Sequence, residues 1–452
     1  MIMDVETISV ERIKPSFPTP NHLRNFKLCV LDQLIPAAYA PVVVYYPNHG
    51  AASHFEVLER LAMLKKSLSE TLTGFFPLAG TIRDDVSIDC DDHGACFTTA
   101  KVKCTLTEFL ESPDLKMIAQ LLPCGLNGAG ACVTNIQASE FACGGIAVGL
   151  CISHRILDGT ALSTFLKSWS TAASSSGEKL VSPDFSAPSL FSDDGLWLKD
   201  ASMAMWGALF KKGQFVTRRF VFDGSAIASL KDMALGTSRT RKPTRVEAVS
   251  GFIWKCAMAA SEERFGCSGP SLLTHIVNLR KRAAPNFSEQ SLGNLIWMTS
   301  AKFTGGTENL ELPELVNEIR RSISKIDADY VKKLRGDEGS NMMQKYLKEI
   351  LEFSSKDVDY FGFTSWCKLG FYDVDFGWGK PVWVSSIDSS GPFFMNLSVL
   401  MDSRCGDGIE AWMTLDEQEM TILEGNQEFR SFASLNPSPL CIANAAAYCS
   451  RI

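Results

Sequence analysis

Apolar residues alternate with polar ones along some stretches of the chain and recur at helical spacing along others, and these two periods mark out its elements. Period two predicts an opening strand from Val5 that stops at Pro15, and strands over Asn25–Leu31, Pro41–Tyr46, Thr81–Asp89 and Ala95–Cys104. Val57, Leu58, Leu61, Leu64 and Leu68 form one face of a helix over Phe55–Leu72, a second helix lies near Leu106–Leu110, and a glycine-rich turn follows at Gly125–Gly130. Further along, strands are expected at Phe215–Phe222, Ser271–Leu279 and Phe361–Gly370, with a hairpin of Phe393–Asp402 and Ile409–Leu415. Helices are expected at Ser225–Ala234, Val246–Ala260, Pro313–Ser324, Asn341–Glu352 and Glu417–Phe432, and the tail beyond Leu435 is expected to be mobile. From Ser170 to about Ala204 the pattern thins into serines and prolines. This divides the chain into an N-terminal domain (1–180), a crossover linker (181–214) and a C-terminal domain (215–452).

One stretch changes period in the middle. Ile146, Val148, Leu150 and Ile152 alternate as a strand, whereas Leu162, Phe165, Leu166 and Trp169 recur at helical spacing. His154 and Asp158 stand where strand becomes helix, the place where a rigid core presents polar groups to a cleft. A histidine there, mostly neutral near pH 7, can take a proton from a hydroxyl and return it. Asp158 either orients that imidazole, or caps the helix and pairs with an arginine elsewhere.

Composition narrows the function classes. A chain of 452 residues has room for more than one full core. Its formal charge of -7 argues against a general nucleic-acid binder, which depends on a basic footprint. The basic run Arg239–Arg245 is either a solvated loop or a seat for phosphates. No apolar run approaches a membrane span. The 14 cysteines are scattered with no C-x-x-C pair, so they are read as buried free thiols in a reducing cytosol. The 6 histidines include no H-E-x-x-H, and no metal site is expected.

The pair His154-Arg-Ile-Leu-Asp158-Gly and Asp375-Phe-Gly-Trp-Gly379 resembles the two signatures of the BAHD acyl-CoA-dependent acyltransferases of plants, in their order and at about their separation. The likeness covers nearly the whole chain and includes Leu64–Gly80, Val277–Arg282 and Gly408–Trp412. Within the family, Phe363–Asp373 and Arg219–Asp223 look most like the branch of vinorine synthase and other alkaloid O-acetyltransferases.

The resemblance implies an α/β fold of two chloramphenicol-acetyltransferase-like domains with mixed sheets and a channel at their interface. It implies acyl transfer, most simply of acetyl, from acyl-CoA to a hydroxyl of an alkaloid or related plant metabolite. His154 is the expected general base in a ternary complex, with no acyl-enzyme and no permanently bound cofactor. Cys151, three residues earlier on the strand, should face away from His154. The family places an arginine from Arg280–Arg282 against Asp158, and gives Asp375, Gly377 and Gly379 a supporting role. Thr364, Trp366 and, more weakly, Asn294 are the candidates for the oxyanion or the channel, and Ser250 and Lys255 for binding CoA. A cytoplasmic monomer is expected, with acyl-CoA and a small alcohol as its only partners.

Overall fold

The computed structural model describes residues 4–48, 54–123, 130–174, 180–191, 196–235, 241–305, 310–354, 358–386 and 393–441. Residues 125–129 of the expected glycine-rich turn, and Arg239 and Thr240 of the basic run, lie outside them.

The first half is built on strands Val5–Ile13 (β1), Tyr39–Tyr46 (β2), Ala95–Val102 (β3), Thr134–Phe141 (β4) and Ile146–Ser153 (β5). Val30–Gln33 (α1) precedes β2, His54–Gly74 (α2) follows it, and Gly159–Ser174 (α3) follows β5. Leu61, Leu64, Leu68 and Leu72 of α2 and Leu162, Phe165, Leu166 and Trp169 of α3 are buried in one cluster with Val42, Val44, Val148 and Leu150 of the sheet. Burying these stripes is the main force holding the layer together.

The second half contains Leu196–Leu209 (α4), Phe215–Phe222 (β6), Arg245–Phe265 (α5), Ser271–Asn278 (β7), Ile296–Phe303 (β8), Leu312–Ser324 (α6) and Gly339–Ser354 (α7). It continues with Asp359–Ser365 (β9), Trp383–Ser385 (β10), Leu397–Asp402 (β11), Ile409–Asp416 (β12), Gln427–Phe432 (α8) and Ser434–Leu435 (β13). The seven-stranded sheet runs β8-β7-β9-β11-β12-β6-β13, parallel at β7–β9 and β9–β11. Alternate residues face opposite layers: Leu273, Phe361 and Phe363 join a core with α5 and α6, while Leu272 and Tyr360 join one with α4 and α7.

Several findings depart from the sequence reading. The six-stranded sheet runs β1-β3-β4-β5-β2-β10, so β10, from the C-terminal half, completes the N-terminal sheet through antiparallel pairing of Trp383–Ser385 with Tyr45–Val43. The expected linker contains α4, whose Leu198, Met205 and Leu209 are buried against the second half. Residues 30–33 are helical rather than extended, because Asp32 closes a capping box on the Cys29 N–H. Part of the tail is tied down, with Asn436 donating to the Pro113 carbonyl and Ser438 to that of Leu110. No disulfide joins the thiols among the described residues, but Cys143, Cys267, Cys405 and Cys441 are exposed rather than buried.

Candidate active site

β5 ends at Ser153, and the chain turns at once: the His154 N–H donates to the Ala38 carbonyl at 2.8 Å, which anchors the turn to the segment before β2. The His154 side chain is half-buried, and its Nδ1 is shielded from solvent with no hydrogen-bond partner among the described residues. Asp158 does not serve that ring. Its Oδ1 accepts from the Ala161 N–H at 2.9 Å, capping α3, and its Oδ2 takes Arg280 Nη1 at 2.6 Å. Of the two readings left open by the sequence, this geometry is the cap and the arginine pair.

Arg280 is fully buried, and its second terminal nitrogen donates to the carbonyls of Ser291 (2.9 Å) and Gly293 (3.2 Å). It therefore joins the turn of the first half to a loop of the second. Gly293 has φ +129, and a Cβ there would stand 3.0 Å from that of Ala187, so only glycine fits. The next residue, Asn294, closes the bracket by donating its Nδ2 to the His154 carbonyl at 2.7 Å. One loop thus holds the His154–Asp158 turn at both ends. Thr160, just inside α3, adds a further tie by accepting from Asn278 at 3.0 Å.

The same bonds correct two expectations. Asn294 is fully buried, and its amide nitrogen also donates to Asp32 Oδ1 at 2.9 Å. Both amide hydrogens are spent on acceptors that cannot donate, so none is left for an oxyanion. Arg282 does not support the turn. It donates to the carbonyls of Ile323 (3.2 Å) and Ile326 (2.7 Å) at the end of α6, and burial lowers its pKa.

Asp32 was not singled out in the sequence. It is buried, and its carboxylate accepts from the N–H groups of Cys29 (2.9 Å) and Asn294 (2.7 Å) as well as from the Asn294 amide. Burial pushes its pKa above the ordinary value, against the opposing pull of these donors. The available signal was a single acid inside the apolar run Leu28–Leu34.

Thr364, near the end of β9, and Trp366 beyond it are half-buried. The Trp366 indole nitrogen lies 3.3 Å from the point where a Cβ on Gly159 would sit, which puts it beside the start of α3. The segment Asp375–Gly379 stands apart from these contacts. Asp375 Oδ1 accepts from the N–H groups of Gly377 (2.8 Å) and Gly379 (2.9 Å), and both glycines have positive φ. Phe376 is driven into the first core, edge-on to Trp169 at 4.9 Å. Ser250 is sealed inside α5 with no partner for its hydroxyl, so it offers nothing to a nucleotide in this structure. The Lys255 ammonium pairs with Glu428 of α8 at 2.8 Å. Within the basic run, Lys242 pairs with Asp232 and Arg245 with Asp402.

A small apolar cleft, partly open to solvent, is lined among others by Leu31, Leu34, Ile35, Met205, Trp206 and Trp297. Two sheet-rich halves are thus clamped around a histidine turn. The family model described as the Transferase family matches residues 3–430, and the chain belongs to that family. It is 42% identical over 97% of its length to the whole of a limonoid 7-O-acetyltransferase of Citrus sinensis. Salutaridinol 7-O-acetyltransferase of Papaver somniferum is 33% identical, covering 93% of this chain and 96% of its own. The crystal structure of vinorine synthase superposes with a TM-score of 0.79 at 30% identity, covering 96% of this chain and all of the other. The chain is thus an acyltransferase of the BAHD type, with its mixed α/β fold.

Proposed function

We propose that the enzyme transfers acetyl from acetyl-CoA to a hydroxyl of a polycyclic plant metabolite, of the limonoid or alkaloid kind, with His154 as general base. The observation that carries this reading is the unpartnered, half-buried His154 imidazole, held by its backbone while Asp158 is engaged elsewhere. The ring's other nitrogen, Nε2, is not shielded as Nδ1 is, and can take the acceptor's hydroxyl proton as the oxygen attacks the thioester carbonyl. The tetrahedral intermediate then collapses, the C–S bond breaks, and the proton passes from the imidazole to the departing thiolate. The Thr364 hydroxyl and the Trp366 indole N–H are the proposed donors to the oxyanion.

Acetyl is favoured as the acyl group because the relatives are named acetyltransferases, and a CoA thioester as donor agrees with the coenzyme A held by an F. sporotrichioides protein of the same fold (TM-score 0.68, 18% identity). A monomer is proposed, and the scattered cysteines with no C-x-x-C pair support a cytosolic setting.

The test offers the purified enzyme acetyl-CoA with a panel of limonoid and alkaloid alcohols and looks for acetylated product by mass. His154→Ala should cut turnover by about 10²–10⁴-fold while CoA binding persists. A His154→Ala protein turning over at the wild-type rate rules the base assignment out.

A further inference from the structure

We propose that Asp32 is a positioning residue for His154, acting through Asn294 and from outside both signature motifs. The inference rests on the reading of His154 as the base. The two oxygens of Asp32 have separate tasks. Oδ2 caps α1 by accepting from the Cys29 N–H, while Oδ1 accepts from both the backbone N–H and the side-chain amide of Asn294. The same amide nitrogen reaches the His154 carbonyl at 2.7 Å.

The rotamer of that amide is what Asp32 controls. Asn294 Oδ1 is buried with no donor, so only the nitrogen end of the side chain is held. Without the carboxylate, a half-turn of the amide puts its oxygen against the His154 carbonyl, and two acceptors repel. The backbone of residue 154 then moves, and the imidazole moves with it. Displacements near 1 Å are enough to cost about 10²-fold in rate. Asp32 is also the acidic residue of a short helix whose Leu31, with Leu34 just beyond its end, lines an apolar cleft.

Steady-state kinetics on a panel of variants tests this. Asn294→Ala leaves the α1 cap in place and should lower kcat on the order of 10–100-fold, with KM for acetyl-CoA unchanged. Asp32→Asn should lower kcat in the same direction. The double variant should fall no further than Asn294→Ala alone, and Asn294→Ala should cost nothing more in a His154→Ala background. Losses that multiply in the double variant, an Asn294→Ala enzyme with wild-type kcat, or an Asp32→Asn enzyme that loses only Tm overturn the proposal. If Asp32→Asn yields no soluble protein, Asn294→Ala decides alone by the same kcat criterion. An active His154→Ala enzyme defeats the base assignment and this proposal together. An inactive His154→Ala beside a normal Asn294→Ala defeats only this proposal.

Discussion

Two arginine–carboxylate pairs are fully buried among the described residues, and they differ chiefly in what surrounds them. Arg280–Asp158 (2.6 Å) and Arg219–Glu410 (2.5 Å) have side chains that are 0–3% exposed; the first links the two halves, whereas the second joins the neighbouring strands β6 and β12 of the second sheet. Arg280 carries the turn that bears His154 and the loop that grips it. Arg219 lies 5.0 Å from the centre of the Trp383 ring, whose indole donates to Glu410 at 3.2 Å, and it donates to the Pro437 carbonyl at 2.7 Å. The second pair therefore fastens β10 and the tail to the second sheet, and holds no reactive group. Burial and pairing alone do not mark a functional site. What marks it is the group at the other end of the bonds.

Breaking one partner of each pair should have the largest effect and should separate the two. Asp158→Asn and Glu410→Gln each leave a buried guanidinium without its counter-charge, at about 3–5 kcal/mol, read as the shift in urea-unfolding free energy. The Glu410→Gln protein that remains folded should keep wild-type kcat, whereas the Asp158→Asn protein should lose about tenfold because the bracket around His154 slackens. Equal kcat in both folded proteins erases the distinction.

An intermediate effect is expected at Asp375, a carboxylate with no arginine. Asp375→Ala frees the N–H groups of Gly377 and Gly379 and should cost about 1–3 kcal/mol by thermal melting, with kcat per folded molecule unchanged. The smallest effect belongs to Glu247, which is buried but pairs at 3.1 Å with a partly exposed Arg320 and closes the capping box of α5 on Thr244. Burial alone would raise its pKa, but the Arg320 guanidinium and the Thr244 N–H outweigh it and hold the carboxyl below its ordinary 4.5. Stability from this group is therefore full above pH 4.5 and is lost as the pH falls through the depressed value. Wild type should exceed Glu247→Gln by about 1 kcal/mol near neutrality, and the two unfolding curves should converge in acid.

The parts of this design visible in sequence are those written in local periodicity. The switch from period two to helical spacing around His154 corresponds to β5 and α3, and the leucine stripe corresponds to α2. What escaped has physical causes. The α4 segment is apolar on most faces, so no polar stripe reveals its helical period. The run Leu28–Leu31 reads as a strand because a short continuous apolar stretch fits either state, and a single capping box decides it. Arg280 and Arg282 are indistinguishable until the turn after β7 sends one into the seam and the other to the end of α6. The place of β10 in the first sheet and the grip of Asn294 on His154 join residues more than a hundred positions apart, and no window along the chain contains both partners.

The borrowed strand β10 also bears on the order of assembly. The N-terminal sheet cannot close until Ser385 has left the ribosome, so during synthesis the outer backbone groups of β2 wait unpaired while the second half is still being made. A gene cut at the crossover would yield a first fragment with an unprotected edge at Val43–Tyr45, open to any extended partner, and a second fragment carrying an orphaned Trp383. The two lobes are thus interlocked by the path of the chain as well as by the surface between them.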